Sequence, residues 1–262
     1  MNRRTLTELA ANPDLISGIY NYCDRWCERC PFTSRCLLYA TEQEDPDDSP
    51  ESRDIENAAF WEKLGRIFRE TREMITEWAE EAGIDLTQVD EEAVENGRKK
   101  RKAASRHRLA RAGKKYASDV TDWFKELAEM ITARDLPPDQ QDLEQSDQFE
   151  DATDVIHWYQ YQIAVKSMRA LSSRSSEVDE MDDPNSDLYP KDSDGSAKVA
   201  LVGIDRSISA WRMMQLALPE RAETTVPLIL QLERLRQQVE KEFPVARDFI
   251  RPGFDEVLGE PN

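Results

Sequence analysis

The chain has 262 residues, a net charge of −18, 39% hydrophobic and 34% charged residues and only nine glycines, a profile of helices with charged outer faces. Such an acid excess opposes non-specific binding to nucleic acid or to an anionic membrane over the surface as a whole. No apolar run approaches the roughly eighteen residues of a membrane span, and the start Met1-Asn-Arg-Arg-Thr-Leu has no apolar segment of signal-peptide length, so the sequence points to a soluble, cytoplasmic protein.

Residues 4–12 read as a short amphipathic start, and Pro13 can open a helix over 13–30. That helix would carry Cys23, Cys27 and Cys30 at i, i+4 and i+7, three sulfurs on one face. Pro31 stops it, and Thr33 or Ser34 can cap a second helix with Cys36 in its first turn, where the unpaired N–H groups favour a thiolate. The four cysteines of the chain thus fall within fourteen positions, spaced C-x3-C-x2-C-x5-C, and read as the ligands of one metal centre.

Size then chooses the metal. A zinc ion needs its sulfurs about 3.8 Å apart, whereas an unbroken helix would set the Cα atoms of Cys23 and Cys30 about 10 Å apart along its axis. A [4Fe-4S] cluster fits that span better, and zinc remains the alternative if the helix ends near Cys27. Structural zinc also commonly uses two ligand pairs separated by a spacer that this segment lacks. Tyr20, Tyr22, Trp26, Phe32 and Tyr39 surround the cysteines in sequence and can either shield a cluster from water or pack a small module.

The second half of the segment, Cys27-Glu-Arg-Cys30-Pro31-Phe-Thr-Ser-Arg-Cys36, resembles the closing part of the [4Fe-4S] loop of helix-hairpin-helix DNA glycosylases, and RecB-family exonucleases close their cluster similarly. In the glycosylases the first cysteine lies farther before the pair than Cys23 does. The resemblance implies cluster ligation by Cys23, Cys27, Cys30 and Cys36 and brings no catalytic residue. The chain has no Glu-x-Lys, as a RecB-type nuclease would use, and no glycine-rich hairpin like that of the glycosylases, so neither activity is carried over.

Three competing readings remain. Cys23-x3-Cys27-x2-Cys30 also matches radical-SAM spacing, but no repeated strand–helix units accompany it, and Cys36 is on hand for a fourth iron. Disulfides need an oxidising compartment. Four ordinary core cysteines would not be expected beside Asp24, Arg25, Glu28, Arg29 and Arg35.

Residues 42–54 hold two prolines and no apolar residue, and read as an exposed acidic linker between a cysteine-rich helical module at 1–41 and a helical domain at 55–262. Asp54 is expected to cap a helix to about residue 82 with the stripe Trp61, Leu64, Phe68, Ile75, Trp78, ended by Gly83. Next comes a helix over roughly 90–134, weak near Gly97 and stopped at Leu136-Pro-Pro. Its residues 98–115 carry ten Lys and Arg and no acid. They can form a nucleic-acid-binding helix, or answer the chain's own acidic stretches such as 42–56 and 139–154; few aromatics interleave the charges for base stacking, which favours the second.

A helix over 147–174, a long polar crossover at 175–195, and helices over 196–217 and 222–242 follow, the former stopped by Leu218-Pro219. The tail 243–254 has enough apolar residues to dock. No segment alternates with period two. The expected fold is an all-α bundle with up-down, ferritin-like connectivity. Such bundles hold two metals with Glu-x-x-His pairs. The nearest match, Asp151-x-x-Asp154-x-x-His157, with Glu70, Glu73 and Glu77 as facing candidates, is a second, weaker metal site and the basis of an alternative reading as a di-metal enzyme. His157 also begins the stripe Tyr161, Ala164, Met168, Leu171, as a satisfied core histidine would. No nucleotide, zinc-protease or nucleophile-elbow motif is present. The leading expectation is a [4Fe-4S] protein whose cluster is structural, redox-sensing or electron-carrying, with a redox or protein partner; substrate and partner are not identified.

Overall fold

A computed structural model describes residues 3–43, 49–88, 90–133, 147–179 and 191–255. The protein is all-α, with no strand among the described residues. Its helices are α1 (Arg3–Ala10), α2 (Leu37–Gln43), α3 (Ala58–Ala82), α4 (Glu91–Arg106), α5 (Arg108–Ala133), α6 (Asp147–Asp179), α7 (Asp192–Ala217) and α8 (Ala222–Glu242). No described helix is long and apolar enough to cross a membrane.

Two compact units divide the chain. One comprises Met1–Asn21, Arg25–Glu95 and Pro252–Asn262, the other Tyr22–Asp24 and Asn96–Arg251, the division falling within α4. The expected linker 42–54 lies in the first unit, with 44–48 outside the described residues.

In the first unit the expected helix over 13–30 does not form. Gly18 takes φ +73° and Arg25 φ +59°, two left-handed residues that an α-helix does not accommodate, and only the short 3-10 turns Ile19–Asn21 and Cys27–Arg29 are helical there. Cys23, Cys27 and Cys30 therefore do not share a helix face. Downstream, α3 is capped by Asn57, whose side chain accepts the Ala59 N–H at 3.0 Å; Asp54 instead closes a turn with the Glu56 N–H at 2.9 Å. Gly83 ends α3 as expected, left-handed at φ 68°, and the Ile84 N–H returns to the Ala79 carbonyl at 2.8 Å. The stripe of α3 is not a core face. Trp61 is 56% exposed, Phe68 65% and Trp78 54%, and of the described residues in this helix only Ala79 is buried.

The second unit is a four-helix bundle in which α5 packs on α6, α6 on α7, α7 on α8 and α8 on α5. Every neighbouring pair is antiparallel, because contacts rise in number on one helix as they fall on the other. Gly113 and Phe124 of α5 meet Ala164 and His157 of α6. Asp192 and Gly203 of α7 meet Arg169 and Tyr159 of α6. Asp205 and Arg212 of α7 meet Arg236 and Glu233 of α8, and Arg108 and Trp123 of α5 meet Glu242 and Thr224 of α8. The up-down connectivity is thus simple. Helices α6 and α7 are antiparallel neighbours, and residues 180–190 between them lie outside the described set.

The interior is aromatic and aliphatic. Trp211 donates its indole N–H to the Tyr116 hydroxyl at 2.8 Å in the core, and its ring meets that of Trp123 edge-on at 4.9 Å. The helix expected over 90–134 is broken at His107, not at Gly97. Gly97 costs α4 only about 1 kcal/mol, whereas His107 leaves the helix and caps α5 by accepting the Leu109 N–H at Nδ1, 3.3 Å away. The expected Leu136-Pro-Pro stop lies outside the described residues.

Candidate metal centre

The cysteine segment is built from tight turns. In the first unit the Cys30 N–H closes a 3-10 turn on the Cys27 carbonyl at 3.1 Å, and a second such turn, Thr33–Arg35, ends with the Cys36 N–H on the Thr33 carbonyl at 3.2 Å. Cys36 itself is extended, immediately before α2, and its carbonyl accepts the Ala40 N–H. Between the turns the Phe32 N–H donates to Cys30 Sγ at 3.4 Å. Hydrogen bonds from N–H groups to sulfur are among the features that tune a metal–sulfur centre. The loop is braced from outside: Ile16 N–H to the Arg35 carbonyl at 2.9 Å, Arg35 Nε to the Asp14 carbonyl at 3.1 Å, and Phe32 edge-on to Phe254 at 5.1 Å. Trp26 carries the Arg29 guanidinium over its ring at 4.0 Å.

Cys23 belongs to the second unit, held there by its neighbours on both sides. Asp24 is tied four times. Its carbonyl accepts Trp158 Nε1 at 2.9 Å and Gln162 Nε2 at 2.6 Å, and its carboxylate accepts the Tyr159 hydroxyl at 2.5 Å and Arg206 Nη1 at 2.7 Å. Burial, then the Asp24 carboxylate, pushes the Tyr159 hydroxyl far above its ordinary value, so it stays a donor. Tyr22 packs edge-on against Phe249 at 4.7 Å, over Gly195 of α7. A Cβ at position 195 would sit 2.3 Å from the Tyr22 ring, so only a glycine fits at this point of the helix. Nothing in the sequence pairs residues 22–24 with α6 and α7; Gly195 near the start of an apolar helix is the nearest signal.

All four cysteines are half-buried and none is in a disulfide. Among the described residues no group of three or more His, Cys, Asp and Glu side chains is arranged to hold a metal.

The second candidate site is dispersed. Asp151 lines a groove of about 360 Å³ between α6 and α7 with Asp205 and Arg206. His157 faces the other way, its ring 4.2 Å from that of Phe124 on α5. Burial lowers its pKa, partly offset by Asp154. The buried residues of the described bundle include no Asp, Glu or His, the donors that a ferritin-like centre projects inward. Glu70, Glu73 and Glu77 belong to the first unit.

The basic run is answered in part by carboxylates that sequence reasoning did not name. Glu242 takes Arg108 at 3.0 Å, Arg174 at 3.3 Å and the His107 ring at 3.7 Å. Burial raises its pKa, but hydrogen bonds from the Arg108 and Arg174 guanidiniums more than offset it and hold the carboxyl below its ordinary value. Lys115 pairs with Asp119 at 2.6 Å, and Lys100 donates to the Ser176 hydroxyl at 3.3 Å. A groove of about 460 Å³ between α5 and α6 is lined by Lys114, Ala117, Tyr161 and Val165.

No family model, curated protein or solved structure matches this chain.

Proposed function

We propose that the segment Cys23–Cys36 binds a [4Fe-4S] cluster through Cys23, Cys27, Cys30 and Cys36, and that the cluster serves a structural, redox-sensing or electron-carrying role. The observation that carries the reading is four cysteines within fourteen positions, in short 3-10 and irregular turns, with a backbone N–H directed at Cys30 Sγ. Irregular turns with inward N–H groups are the backbone form that thiolate ligation uses, and metal binding itself supplies folding energy where the ligands are not preassembled. With four thiolates no iron is left open for a substrate, so the cluster would not act as a Lewis acid. Reduced thiolates fit the cytoplasm.

Without an unbroken helix across 13–30, the span between Cys23 and Cys30 no longer separates a cubane from zinc. Iron is favoured by the missing spacer and by the C-x2-C-P-x4-C resemblance. Anaerobic purification followed by metal analysis tests the reading: about four irons per chain and a broad absorption near about 400 nm are expected. One zinc in a colourless protein would replace the cluster with a zinc site, and iron retained after Cys27→Ala with Cys30→Ala would remove the cysteines from the function altogether.

A further inference from the structure

The exposed stripe of α3 has a stricter order than burial of one face requires. Trp61, Phe68, Ile75 and Ala82 recur every seven residues, and Leu64, Thr71 and Trp78 recur every seven between them, the alternating three-and-four spacing of a helix that packs along its length on another helix. Trp61, Phe68, Ile75 and Trp78 of this repeat are exposed. Ile67 widens the stripe and is 40% exposed. Side chains of this size, spread from Trp61 to Trp78 over about five turns of a helix, form a larger apolar surface than a monomer commonly leaves open.

The stripe is also complementary to itself when reversed. Placed antiparallel against a second copy, Trp61 falls beside Trp78 of that copy, Leu64 beside Ile75 and Phe68 beside Thr71, with Ile67 beside Met74 on the flank; the two-fold axis repeats each pair. Seam positions meet only seam positions. The charges agree. The N-terminal half of α3 is net positive, with Lys63, Arg66 and Arg69 against Glu62, while the C-terminal half is net negative, with Glu70, Glu73, Glu77, Glu80 and Glu81 against Arg72. An antiparallel pair sets each half against its opposite, and a parallel pair sets like against like. The helix dipoles also oppose in the antiparallel arrangement.

We infer that α3 is a self-association surface on which two copies of this chain pair antiparallel through Trp61, Leu64, Phe68, Ile75 and Trp78. The inference does not depend on the cysteine segment or on any metal.

Sedimentation equilibrium of the full chain tests it. A dimer at micromolar concentration is expected, and Phe68→Glu with Ile75→Glu should weaken association by about 100-fold or more while circular dichroism keeps the helical signal, because these side chains are exposed. Lys63→Glu, Arg66→Glu and Arg69→Glu together should weaken it by about 10-fold or more, and adding Glu77→Lys, Glu80→Lys and Glu81→Lys to that variant should restore it. A wild-type monomer at about 100 µM would overturn the inference, since association weaker than that is weaker than specific interfaces. So would a dimer indifferent to the Phe68 and Ile75 changes, as when another face or the chain's own second unit meets the stripe. A dimer lost with those changes but indifferent to the charge reversal would overturn the antiparallel order.

Discussion

Helices α3 and α5 are nearly the same length, 25 and 26 residues, and both carry aromatic and aliphatic side chains at helical spacing. Their fates differ. In α5, Leu109, Tyr116, Val120 and Trp123 are buried among three other helices, whereas in α3 Trp61, Phe68 and Trp78 are more than half exposed. Periodicity states that a helix has an apolar face; it does not state what covers that face. What separates the two is the size of the neighbours. The stripe of α5 has small residues where a helix of the same bundle approaches closely, Gly113 against Ala164 above all, while the stripe of α3 carries mostly large side chains, with Thr71 and Ala82 the small exceptions.

The sharpest way to break this comparison is one substitution made in both helices. Trp123→Ala should cost about 3–5 kcal/mol, because the ring fills the core against Trp211 and its N–H donates to the Thr224 hydroxyl at 3.1 Å. Trp78→Ala should cost less than about 1 kcal/mol when measured by urea unfolding of the dilute protein. Equal losses would mean that the α3 stripe is covered within the single chain. Next in size, Tyr116→Phe should cost about 1–3 kcal/mol, because it leaves the Trp211 indole N–H without its acceptor in the core.

The glycines give a pair of opposite signs. At Gly113 an added Cβ would meet the Ala164 backbone at 3.1 Å, so Gly113→Ala should destabilise by about 1 kcal/mol. At Gly65 of α3 the nearest atom is the flexible end of Arg69, and Gly65→Ala should stabilise by about 0.5–1 kcal/mol. Thermal unfolding reads both, and a loss at Gly65 would again argue for a covered stripe.

The smallest effect is on the acid side. The half-buried His157, lying on Phe124, has its pKa lowered by burial, so the unfolded chain takes up its proton first as pH falls. Its contribution is full above the ordinary histidine value of about 6.5 and is lost as pH drops from there through the lowered folded value. The denaturant midpoint should therefore fall between about pH 7 and pH 5 by less in His157→Phe than in the parent; an identical fall would remove this histidine from the acid sensitivity.

Much of the bundle is legible in the chain. The core period of α5 to α8 and the stops at Gly83 and Leu218-Pro219 follow from side-chain spacing and backbone chemistry. Where the reading failed, local signals competed. Around the cysteines, the i, i+4, i+7 spacing of Cys23, Cys27 and Cys30 imitated a helix, but the left-handed residues Gly18 and Arg25 and the proximity of Pro31 favoured turns. At His107 a ring nitrogen served as a cap, a role ordinarily sought in Ser, Thr, Asp or Asn. The four cysteines could be found from their density alone. The tethering of Asp24 by Trp158, Tyr159, Gln162 and Arg206 could not, because each of those residues taken singly reads as an ordinary helix residue and nothing in the spacing pairs it with position 24.

The seat that Gly195 leaves for the Tyr22 ring bears on how the polypeptide can be shortened. A fragment beginning after residue 54 would keep every long helix yet open a furrow along α7 and strip the Asp24 acceptors from an indole N–H, an amide and a guanidinium of the helical core's own wall. The minimal autonomous piece therefore has to import a tripeptide from far upstream, and supplying residues 22–24 as a separate peptide should rescue a truncated version, much as a missing staple restores a binding.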